Sequence, residues 1–67
     1  MNNEFTQNNG ITIKEGRNYT SHVGDLVKVM KIEVDKNTLI CYNISEHCKS
    51  WHRIDSAITD NKFRAEA

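Results

Sequence analysis

The sequence predicts a small all-β domain: about five short antiparallel strands, with a one-turn 3₁₀ helix near the C-terminus. Three observations carry that expectation. Between residues 26 and 54, apolar and polar side chains alternate with the two-residue period of half-buried strands, and the runs are rich in Val, Ile and Tyr. Short polar connectors, Asp35-Lys36-Asn37 and Ser45-Glu46-His47, separate those runs at hairpin spacing. The chain has no proline, no internal repeat and no sustained 3.6-residue apolar period, which argues against a helical bundle.

Residues 1–10 hold four Asn, one Gln and one Glu against two apolar side chains, a composition that does not repay the entropy of ordering. They are expected to form a flexible polar tail. One small β domain is assigned to residues 11–63 and a short C-terminal tail to residues 64–67. Within the domain, Ile11-Thr12-Ile13 suits a short strand bounded by glycines, and Arg17 to Asp25 reads as a polar loop with one exposed aromatic, Tyr19. From Leu26 to Val34, Val27 and Val29 share one phase, whereas Met30, Ile32 and Val34 share the other. A slip of one residue near Val29-Met30 is what a β-bulge produces. Asn37 suits the left-handed position that closes a hairpin. Thr38 to Ile44 returns as a strand, with Ile40, Tyr42 and Ile44 assigned to one face and Leu39, Cys41 and Asn43 to the other. Cys48 to Ile54 reads as the third strand of the meander. Ile54, Ala57 and Ile58 then fall at i, i+3 and i+4, with Asp55 or Ser56 able to cap one helical or 3₁₀ turn. Phe63 anchors either a last short strand or a fraying end.

A bent strand opening with Val23-Gly24-Asp25-Leu26-Val27-Lys28-Val29, a tight hairpin, a third strand carrying Trp51 and a helical turn at residues 55–58 resembles a small SH3-like barrel. The resemblance is to the KOW and Tudor kind, covers Ile11 to about Phe63, and implies a five-stranded barrel with a 3₁₀ turn before its last strand. The acidic, Tyr-rich first loop, the paired tryptophans and the final Pro-Ser-x-Tyr of signalling SH3 domains are missing. Binding of proline-rich peptides is therefore not implied.

The 67 residues leave room for one thin core and no second domain. Nine basic against nine acidic residues indicate neither a polybasic nucleic-acid binder nor an acidic DNA mimic. No apolar run approaches membrane-spanning length and the first residues lack a signal-peptide pattern, so a cytoplasmic protein without membrane association is expected. Reduced thiols are expected at Cys41 and Cys48, since one bridge would be far from a secreted disulfide framework. Size, the asparagine-rich start and the lack of a recognised family suggest a phage or mobile-element origin.

No phosphate loop, HExxH motif, catalytic carboxylate pair or nucleophile elbow is present, and no enzymatic activity or cofactor is expected. His22, Cys41, His47, Cys48 and His52 lack zinc-site spacing, so no metal is assigned. Cys48 and His52 lie four apart on one strand, roughly 13 Å, too far for a nucleophile pair. The aromatics carry the remaining signal. Trp51, Arg53, His52 and Lys49 on the third strand, Tyr42 on the second and Tyr19 in the long loop are the candidate binding residues. Tyr42 sits on an apolar phase that favours the core, while both faces of the Trp51 strand are mixed. The leading expectation is a non-enzymatic module that binds a partner protein, with homo-oligomerisation open to it. The rival is a nucleic-acid-binding accessory factor that stacks bases on Trp51 and Tyr42 and contacts phosphates through Lys28, Lys31, Lys49 and Arg53.

Overall fold

The computed structural model describes residues 3–67, in which seven strands and one short α-helix follow one another. β1 (Glu4–Thr6) and β2 (Thr12–Lys14) form a two-stranded hairpin with Phe5 opposite Ile13. The main sheet comprises β3 (Asn18–Ser21), β4 (Leu26–Glu33), β5 (Thr38–Asn43), β6 (Cys48–Arg53) and β7 (Phe63–Glu66). Its order is β6-β5-β4-β3-β7 and every pairing is antiparallel. α1 (Ile54–Asp60) links β6 to β7. These two strands are the sheet's edges and do not pair with each other, so the closed barrel implied by the resemblance does not form. No described helix is long and apolar enough to cross a membrane.

Local signals placed the central hairpin. β4 and β5 pair Val29 with Cys41 and then Lys31 with Ile40, leaving Met30 as the extra residue of the bulge that the phase slip predicts. The bulge lets Val27, Val29 and Ile32 all reach the core. Past it, the Ile32 N–H donates to the Glu15 carboxylate at 2.9 Å. Asn37 is left-handed, at φ 52° and ψ 38°, and follows a 3₁₀ turn over Val34–Lys36.

Several expectations need correction. Most of the polar tail is structured: β1 pairs with β2, Phe5 joins the core and Gln7 is buried. Gln7 Nε2 donates to the Phe63 carbonyl at 2.7 Å, and its Oε1 accepts from the Phe63 N–H at 2.9 Å. One glutamine thus occupies the place of a neighbouring strand. Met1 and Asn2, also assigned to that tail, lie outside the described residues. The C-terminal tail is likewise strand to Glu66, and the Ala67 N–H donates to the Asn18 carbonyl at 3.0 Å.

The loop over residues 17–25 contains β3, whose Tyr19 and Ser21 face inward. β5 divides into the two faces assigned, but the core lies on the side opposite to the one favoured for Tyr42: Leu39 and Cys41 are fully buried, while Ile40 and Tyr42 face out. The period was legible, but both phases are apolar, and only pairing with Val29 decides between them. α1 is a seven-residue α-helix, not a single 3₁₀ turn, and neither Asp55 nor Ser56 caps it. Asn37 does so from the distant turn. Its carbonyl accepts from the Ile54 N–H at 3.2 Å and its Oδ1 from the Asp55 N–H at 2.9 Å.

Candidate functional site

Strand alternation sorts β4, β5 and β6 into two faces. Val29, Cys41 and Ser50 lie abreast on the inner face, as do Ile32, Leu39 and His52. The outer face carries three rows: Lys28, Tyr42 and Lys49; Lys31, Ile40 and Trp51, with the bulged Met30 beside Lys31; and Glu33, Thr38 and Arg53. Because β6 is an edge strand, Trp51 has a cross-strand neighbour, Ile40, on one side only. It is 63% exposed and Met30 is 43% exposed. Ile40 and Tyr42 are half-buried between them and the flanking lysines.

The charges around this apolar strip differ in their freedom. Arg53 donates twice to Asp55, from Nε to Oδ1 at 3.2 Å and from Nη2 to Oδ2 at 3.0 Å. That fork holds the Asp55 carboxyl at about 2, chiefly through Arg53 and then through Asn37, and it raises Arg53 in return. Lys36 pairs with Glu33 at 3.4 Å. Lys28, Lys31 and Lys49 take part in none of the described ion pairs. An open groove of ≈ 530 Å³ runs along the edge, lined by Lys36, Asn37, Thr38, Trp51, His52 and Arg53.

Of the six residues singled out by sequence, Trp51, Tyr42, Lys49 and Arg53 share the outer face. His52 does not. Its side chain lies on the inner side of β6 with Nε2 2.8 Å from Ser50 Oγ, and burial first, then the Lys62 ammonium, holds its pKa below the usual value. Tyr19 is a correction: it is 0% exposed and packs on Phe63 with ring centroids 5.5 Å apart. Its hydroxyl accepts from the Lys14 N–H at 2.8 Å and donates to the Thr12 carbonyl at 3.4 Å. A buried tyrosine that ties two strands together offers nothing to a partner. The β-favouring run Tyr19-Thr20 was the available signal for β3.

Sequence reasoning missed Ile40 and Met30 as members of the exposed strip. Ile40 follows from the side of β5 on which the core lies, and Met30 from the bulge. Cys41 is a core thiol, pushed up to about 11 by burial against a smaller opposing pull from Lys62, whereas Cys48 is exposed; both are free. Among the described residues, no three His, Cys, Asp or Glu side chains gather as a metal site. In comparisons with known proteins, no family model, no curated protein and no solved structure matches this chain.

Proposed function

We propose that the chain is a non-enzymatic protein-interaction module and that the outer face of β4, β5 and β6 docks a partner protein with an acidic, apolar-centred surface. The carrying observation is Trp51, the sole tryptophan, left 63% exposed beside Ile40 and near three lysines that take part in none of the described ion pairs. Covering its exposed part would release on the order of 3 kcal/mol at about 25 cal/mol per Å². Tryptophan, tyrosine and arginine are the residues enriched at interface hot spots, and the three lysines supply the complementary rim. An SH3-like arrangement belongs to the same proposal. It is supported by the succession of a four-strand meander, a short helix, and a last strand that returns antiparallel to the meander's first.

Affinity capture with the wild type and two variants tests this reading. Trp51→Ala is expected to lose a stoichiometric partner, and Lys49→Glu to weaken it, with circular dichroism unchanged in both. An unfolded Trp51→Ala, or capture undiminished by either change, contradicts the proposal.

The same three lysines beside Trp51 and Tyr42 favour a second reading, stacking of single-stranded nucleic acid. Three phosphate contacts would give log K a slope of about −2 against log salt. Absence of binding to single-stranded RNA or DNA at low salt removes this reading.

A further inference from the structure

Behind β6, on the side opposite Trp51, the unclosed sheet leaves a cleft. Two adjoining cavities of ≈ 200 and ≈ 150 Å³ occupy it. His22, His52 and Lys62 line both cavities, whereas Asp25 lines only the first and Asp60 only the second. These three residues therefore meet where the cavities join, with one carboxylate belonging to each arm; Arg53, forked onto Asp55, lines the second arm alone. Ser50 adds a hydroxyl 2.8 Å from the His52 imidazole.

Lys62 is half-buried, and the described ion pairs, Arg17–Glu66, Lys36–Glu33 and Arg53–Asp55, leave it out. Its Nζ lies over the Phe63 ring, 5.7 Å from the centroid. From there its charge reaches both Cys41 and His52. Asp25, the acid that lines the first cavity, has a partner of its own: its carboxylate accepts from the Asn43 side chain at 3.1 Å. The main chain pins the two walls together, since the His22 N–H donates to the Lys62 carbonyl at 2.8 Å. His22 Nδ1 lies 3.2 Å from the same carbonyl, which can only accept, so Nδ1 is the donor in that contact and Nε2 can donate to an anion when the ring is the imidazolium.

We infer that this cleft is a binding site for a phosphate-class oxyanion, held by Lys62 Nζ, the His52 and His22 imidazoles and the Ser50 hydroxyl. Two basic side chains that repel each other share a preference for an anion between them, because it stabilises both positive charges. At about 30 Å³ per water, even the smaller cavity has room for five water-sized groups, the heavy-atom count of phosphate. The site is separate from the Trp51 face and does not rest on the docking proposal.

NMR titration of the histidine rings tests the assignment, with sodium sulfate as the probe because its charge is constant across the pH range. Sodium chloride at matched ionic strength controls for screening of the Lys62 charge. Sulfate is expected to raise the His52 pKa beyond the chloride control, with saturation. Lys62→Gln should abolish that excess and His22→Gln should reduce it, while Trp51→Ala should leave it intact. O-phosphoserine separates a free anion from an esterified one: tighter binding than inorganic phosphate assigns the site to a phosphorylated side chain, and equal or weaker binding assigns it to the free ion. Equal shifts in sulfate and chloride, or an excess that survives Lys62→Gln, would overturn the inference.

Discussion

Gln7 shows how much one side chain can decide in a chain this short. Its amide satisfies both backbone groups of Phe63, a residue that is itself fully buried. The carbonyl keeps a second donor, Asn9 Nδ2 at 3.1 Å, so Gln7→Ala orphans the buried Phe63 N–H alone and is expected to lower stability by about 1–3 kcal/mol. The urea midpoint measures this, and a loss under 0.5 kcal/mol would mean that water replaces the amide. Nothing near Gln7 in sequence discloses the role, because the partner lies 56 residues away. Composition read the segment as tail for that reason. Trp51 is the opposite case: its importance was visible, but its exposure awaited the pairing that turned Ser50 and His52 inward.

Titration belongs at the same scale. His52 has a folded-state pKa below the ordinary 6.5, so the native state binds its proton more weakly than the unfolded chain. Its contribution is fully present above pH 6.5 and is lost as the pH falls below that value. Asp55 has a carboxyl depressed from 3.8 to about 2, and its contribution is present above pH 3.8 and lost as the pH falls towards 2. The urea midpoint is expected to decline in both windows on acidification. His52→Gln should flatten the upper window and Asp55→Asn the lower. A midpoint constant from pH 7 to 5 in the wild type would contradict the inward placement of His52.

At the scale of elements, Asn37 couples the β4–β5 turn to the start of α1. It takes the left-handed conformation and supplies both acceptors for the first helical N–H groups. Asn37→Ala loses the side-chain cap and strains the turn, and is expected to cost about 2 kcal/mol. Asn37→Gly keeps the turn and loses only the cap, so it should cost less than 1 kcal/mol. Chemical denaturation of the pair checks the order, and equal losses would show that the cap alone matters. The left-handed turn was legible from residues 35–37, as was the bulge from the phase slip at Val29-Met30. The second role of Asn37 was not, because it requires β6 to deliver α1 beside the turn. The same dependence on distant pairing concealed β3, whose Tyr19 finds its packing partner in Phe63 of β7.

For the whole molecule, the decisive fact is that the sheet ends in two unpaired edges, β6 and β7. An all-β meander was legible because alternation and turn residues are local signals. Which face of the sheet becomes core was not, since Leu39 and Cys41 compete with Ile40 and Tyr42 at similar hydrophobicity. Burying Leu39 and Cys41 turns Ile40 and Tyr42 outward, alongside Trp51. A short chain thereby completes its own core and still displays apolar surface at one edge. The most direct test is acrylamide quenching and emission of Trp51, the only tryptophan, in the free protein and on addition of the captured partner. The expected result is solvent-like emission and ready quenching in the free protein, independent of its concentration, with a blue shift and protection in the complex. A blue-shifted, quench-resistant tryptophan in the free monomer would contradict the assignment of this face.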